Sequence, residues 1–147
     1  MTAAEESGYP AHEASVFGGA GMEEWEILRY RTLAEKLLQR YFRASVELGR
    51  LPAPLGKGAG MMRAKVSAHK VTTFEDTMIL VCDVEKCVKR LDAFEQVLVL
   101  RIAMQEYTHE EAAEVMRCAV RTVERRYPEA LEKLALMFLE RELLRPV

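Results

Sequence analysis

The chain has 147 residues, enough for one domain with a real core, or one small domain with an appendage. Hydrophobic residues make up 50% and charged residues 30%, with 8 Gly and 5 Pro, which excludes disordered, collagen-like and low-complexity classes. The net charge of −2 hides an uneven distribution: residues 1–21 hold three Glu and no base, residues 22–90 thirteen Lys or Arg against nine acids, and residues 91–147 eight against eleven.

No apolar run approaches the ~18–20 residues of a membrane span. Met1 to Ser7 carry Glu5 and Glu6 and no base, the wrong texture for a secretory signal, so a cytoplasmic location with no membrane partner is expected. Three cysteines, an odd number, argue against a disulfide framework. Cys82 and Cys87 are five apart on a helical stretch and project toward roughly opposite faces. His12, His69 and His109 are scattered, so no metal and no cofactor is expected.

Residues 1–21 read as a disordered tail without a packing stripe, although Val16 and Phe17 could dock. Residues 22–90 read as helix, loop, helix. The first helix spans about Glu23 to Leu48. Glu23, Glu24 and Glu26 crowd its positive end, and Gly49, Pro52 and Pro54 stop it. Trp25, Leu28, Leu33, Leu37, Leu38, Tyr41, Phe42 and Val46 form its apolar stripe, ~39 Å long. A stripe that long exceeds what a small helical unit covers, so a homodimer is expected through it.

The loop 50–71 holds Arg50, Lys57, Arg63, Lys65 and Lys70 and no carboxylate. Its GKGAG element lacks the strand, the register and the Ser or Thr of a phosphate loop, so nucleotide binding is rejected. It is either a solvated linker or a basic arm on a phosphate backbone, with Lys57, Arg63 and Lys65 as candidate contacts.

A second helix is expected from about Phe74 to Arg90, started by a capping box Thr72-x-x-Glu75. Met78, Ile79, Val81, Cys82, Val84, Val88 and Leu91 form its broad apolar surface. Asp92-x-x-Glu95 starts a third helix, apolar nearly all round through Phe94, Val97, Leu98, Leu100, Ile102 and Met104, and therefore central in a bundle. No period-2 segment appears, so the chain is all-α.

Residues 107–127, YTHEEAAEVMRCAVRTVERRY, carry the functional signal. Thr108 and Glu111 form a capping box, and Ala112, Ala113 and Val115 with Met116 give the short helix a small-residue inner face that a second helix can approach closely. A break at Arg117-Cys118-Ala119 precedes a helix with Val123 and Tyr127 inward and Val120, Arg121, Glu124 and Arg125 outward. Cys118 reads as a small apolar residue at the turn, and Glu110 and Glu114 as solvent-facing. The whole reads as a helix-turn-helix whose second helix lies in the major groove of DNA.

This stretch resembles region 4 of the sigma-70 family, the promoter-reading helix-turn-helix of bacterial sigma factors. The residues in common are LDAFEQVLVLRIAMQEY, then THEEAAEVM, then RTVERR, then Ala130-Leu131. The resemblance covers residues 91–134 and sets residues 91–147 apart as a helix-turn-helix domain. The segment ahead of residue 90 does not resemble the polymerase-binding, promoter-melting part of those factors. The layout is similar to phage-type or orphan regulators with a lone region 4-like domain.

The resemblance implies a transcription regulator that binds double-stranded DNA through Thr108, His109, Ala119, Val120, Arg121, Thr122, Glu124 and Arg125, with Arg117 as a further candidate phosphate contact. It also implies a structural pair between Arg126 and Glu111. Region 4 domains dock on RNA polymerase as well, so an adaptor with weak DNA binding is the alternative, favoured by the acidic balance of residues 91–147. No nucleophile–base pair suggests an enzyme.

Three positions depart from the family pattern. Arg117 replaces a Gly that adopts a left-handed turn, Ala119 replaces a capping Ser or Thr, and Pro128 interrupts the recognition helix. Because Pro removes one hydrogen bond and clashes with the carbonyl four back, the recognition helix is expected to end or kink near Tyr127. A separate terminal helix over 128–144 is expected to fold back on the bundle.

Overall fold

A computed structural model describes residues 21–50 and 73–146. Residues 1–20 and 51–72, with Val16, Phe17 and the candidate contacts Lys57, Arg63 and Lys65, lie outside the described residues. Among the described residues five α-helices follow one another: α1 (Glu24–Glu47), α2 (Phe74–Val88), α3 (Ala93–Leu98), α4 (His109–Met116) and α5 (Val120–Glu140). The described residues contain no strand, and none of their helices is long and apolar enough to cross a membrane.

Local chemistry sets the boundaries. Glu23 and Glu26 cap α1 reciprocally, and Gly49 takes a left-handed conformation (φ +77°) just beyond its end. The Asp92 carboxylate accepts from Glu95 N–H at 2.8 Å, and Glu95 Oε1 accepts from Asp92 N–H at 3.2 Å, the expected capping box of α3. The cap of α2 is Thr73 rather than Thr72: its hydroxyl accepts from Asp76 N–H at 3.0 Å. Two adjacent threonines, each followed three residues later by an acid, make the register ambiguous in sequence.

After Leu98 the third helix widens into a π-helical stretch, Val99–Met104, which the periodicity did not suggest. It packs against α1, α4 and α5, the central position expected for it, and buries Val99, Leu100, Ala103 and Met104. Gln105 N–H closes it on Leu100 O at 2.9 Å, and Glu106 then turns the chain at φ +63° into α4.

One hydrophobic core takes residues from every helix and continues across residue 90. Helix α1 contributes Tyr30, Ala34, Leu37, Leu38, Tyr41 and Ala44, covered by α2, the π stretch and α5. This corrects the expected stripe. Trp25 and Leu28 are 57% and 49% exposed, because they lie on a different side of α1 from Tyr30 and Ala34. Of the expected stripe, Leu37, Leu38 and Tyr41 are covered within the chain. On α2, Phe74 and Ile79 are likewise exposed, while Val81, Val84, Cys87 and Val88 are buried.

Three buried carboxylates tie the helices together, each matched by a cation. Glu132 of α5 accepts from Arg31 of α1, whose Nε lies at 2.7 Å. Glu85 of α2 accepts from Arg50 at 2.7 Å and from the Tyr41 hydroxyl at 3.1 Å. Glu95 of α3 accepts from Lys133 of α5 at 2.6 Å. Buried and paired, each carboxylate fixes which side chains must meet. Removing a cation takes a counter-charge from a buried carboxylate, at a cost of up to about 3 kcal/mol, since each cation is itself partly exposed.

The expected break at Pro128 does not occur: α5 runs unbroken to Glu140 with Pro128 inside it. Tyr127, Ala130, Leu131, Leu134, Ala135 and Phe138 are all buried on either side of the proline. That burial outweighs the ~3 kcal/mol that proline costs in a helix interior. The carbonyl four residues back belongs to Glu124, an exposed residue where water can take the place of the missing donor.

Candidate nucleic-acid interface

The Thr108 hydroxyl accepts from Glu111 N–H at 3.1 Å, and Glu111 Oε1 accepts from Thr108 N–H at 3.0 Å, so α4 begins as expected. The capping box engages both side chains. His109, in the first turn, sets its ring edge-on against the Tyr127 ring, centroids 5.7 Å apart. The Tyr127 hydroxyl in turn donates to Glu35 of α1 at 2.6 Å. Burial first, and the Glu35 carboxylate second, hold that phenol protonated well above the usual tyrosine range. His109 is thus partly held by packing, though it was expected as a DNA contact alone.

Helix α4 ends on Arg117, which adopts the left-handed conformation (φ 57°, ψ 49°) usual for Gly. Cys118 N–H reaches Ala113 O at 3.0 Å and closes the turn. The backbone shape expected of a glycine is therefore kept by an arginine, at a strain of ~1–2 kcal/mol. Ala119 stands at the N-cap of α5 with no side-chain oxygen to offer, so that helix starts without side-chain capping.

Helices α4 and α5 pack through Ala112, Ala113, Val123 and Tyr127, all buried as expected, whereas Val115, expected on the same inner face, is 48% exposed and Met116 is half-buried. Arg121, Glu124 and Arg125 are exposed on the first two turns of α5, and Thr122 is half-buried. Val120, expected to point outward, is half-buried against the core. Among the described residues, no carboxylate forms an ion pair with Arg117, Arg121 or Arg125. Glu110, Glu111 and Glu114 are exposed on α4, so this surface carries four carboxylates, Glu124 included, beside three arginines.

Arg126 does not pair with Glu111, whose carboxylate is held by the Thr108 cap. It reaches across to the start of α3 instead: Asp92 at 3.1 Å, Glu95 at 3.8 Å, and the Phe94 ring at 4.8 Å. Its partner sits 34 residues upstream, on a helix that local pattern does not connect to it. Arg126 thus anchors the arginine-bearing end of α5 against the α3 cap and leaves Arg121 and Arg125 as the outward cations. Among the described residues no group of three His, Cys, Asp or Glu side chains could hold a metal ion.

Compared with protein-family models, with curated proteins and with solved structures, the chain gives no match.

Proposed function

We propose that this protein is a DNA-binding transcription regulator in which α4, the Arg117 turn and α5 act as a helix-turn-helix, with the first two turns of α5 in the major groove. One observation carries the reading. Arg121 and Arg125 stand four apart on one exposed face, free of carboxylate partners among the described residues, on a helix start held by Arg126 and Tyr127. An unpaired, positioned arginine is suited to bidentate contact with guanine or phosphate. Glu124 between them can accept from a cytosine amino group. Thr108, His109 and Arg117 frame this face at the backbone.

The test is selection of a preferred duplex from a random pool, followed by titration of Arg121→Ala and Arg125→Ala. Each is expected to cost about 1–3 kcal/mol on the selected duplex and to relax its preference, with helicity intact. Wild-type affinity and preference in both variants would refute the reading. The four exposed carboxylates favour a second one, an adaptor that docks on RNA polymerase with weak DNA binding. Capture of polymerase undiminished in both arginine variants, with no duplex selected by the wild type, would favour it.

A further inference from the structure

Helix α1 turns a row of cations away from the core. Arg29, Lys36, Arg40 and Arg43 are all exposed. At 100° per residue they fall within an arc of roughly 60°, and at 1.5 Å rise they extend over ~21 Å. None of the four forms an ion pair among the described residues. From Ile27 to Val46 the sole carboxylate is Glu35, which accepts from Tyr127, and the one other cation, Arg31, is matched with Glu132. The fold has neutralised what α1 turns inward and left the outer row positive. Arg40 and Arg43 do line a cleft of about 250 Å³ with Glu47 and Asp76, yet neither acid comes within ion-pair distance.

Like charges held in a row repel one another, so the row is stabilised by an extended anion. Its four groups are strung along a line and do not converge, which suits a polyanion better than a small ligand. A DNA duplex presents one negative charge per ~1.7 Å of axis, roughly twelve over this length. We propose that the outer face of α1 is a second contact on duplex DNA, holding the phosphate backbone irrespective of sequence. The inference rests on the reading of α5 as a duplex reader, and it assigns most of the affinity to α1 and the selectivity to α5.

The test is anisotropy titration of a labelled random-sequence duplex with the full chain, at salt between about 50 and about 200 mM. Each lost phosphate contact flattens the logarithmic salt slope by ~0.9. Lys36→Gln/Arg40→Gln/Arg43→Gln should therefore flatten it by up to ~2.7, a fall across that range about 40-fold smaller than in the wild type. The charge-preserving Lys36→Arg/Arg40→Lys/Arg43→Lys should keep the wild-type slope. Matching melting curves establish that both variants fold, and Arg40→Gln alone should flatten the slope by ~0.9.

An unchanged slope in the neutral variants overturns the inference, whatever α5 does. So does capture of the chain by phosphatidylserine vesicles, lost in the neutral variant, with no binding to duplex. A flattened slope beside unchanged sequence preference in Arg121→Ala and Arg125→Ala sinks the α5 reading and leaves the α1 contact standing.

Discussion

Two surfaces of this protein carry arginines without an ion-pair partner among the described residues, and they differ in what lies between the charges. On the outer face of α1 no carboxylate interrupts the row from Arg29 to Arg43. On α4 and α5 the exposed Glu110, Glu111, Glu114 and Glu124 stand among Arg117, Arg121 and Arg125. A uniform row attracts any polyanion. A mixed surface attracts weakly and discriminates, because each carboxylate penalises a misplaced phosphate. On the proposed reading the difference separates strength of attachment from selectivity, and it comes from what the core consumes: Arg31 and Arg126 face inward to buried acids, while their neighbours remain outside.

The comparison breaks most severely at the pair that holds α1 to α5. Arg31→Met takes the matching cation from the buried Glu132 and is expected to lower stability by up to about 3 kcal/mol, read by chemical denaturation. Both surfaces should lose duplex binding together in that variant. Binding retained at wild-type strength would show that neither depends on the α1–α5 contact.

Pro128→Ala restores a backbone donor in the middle of α5. It should raise stability, by up to ~3 kcal/mol, with duplex preference unchanged, since Arg121 and Arg125 precede it. A drop in melting temperature would mean that the proline ring contributes packing worth more than the lost hydrogen bond.

Glu124→Gln sharpens the contrast by making the second surface more like the first. Removing one repulsive charge should raise affinity for every duplex several-fold and weaken the preference for the selected one, about 1 kcal/mol in each case. Lower affinity for all sequences alike would assign Glu124 a structural role. The smallest effect is expected at the turn. Arg117→Gly relieves the left-handed strain and should add about 1 kcal/mol in thermal unfolding, while removing one phosphate contact.

Legibility in the sequence followed the range of the interaction. Asp92, Thr108 and Gly49 announced helix ends because caps are made within four residues. Ala112, Ala113, Val123 and Tyr127 were readable as an inner face because they recur at helical spacing, but Val115, read with them, faces solvent. The registry of α1 was not, since Ala34, Ala44 and Ser45 are buried by close approach of neighbours while the larger Trp25 and Leu28 are not. Pro128 argued for a break locally, and core contacts on both sides overrode it. Arg126 and the buried Glu85, Glu95 and Glu132 find partners between 34 and 101 residues away, or across helices, beyond the reach of any spacing rule. The cationic row on α1 was present in sequence as Arg29, Lys36, Arg40 and Arg43. It becomes a surface only once Arg31 and Glu35 are known to be occupied.

The link between Arg31 and Glu132 also bears on the order in which the chain folds. It joins positions 101 residues apart, whereas α4 meets α5 across a three-residue turn. Short loops close quickly and long ones slowly, so the α4–α5 pair should assemble early and the docking of α1 should come late. A ribosome that has released α1 but not yet α5 therefore displays Tyr30, Leu37, Leu38 and Tyr41 with only part of their cover. In that interval the first helix depends on the last, and a delay in finishing α5 leaves the chain open to chaperones and proteases.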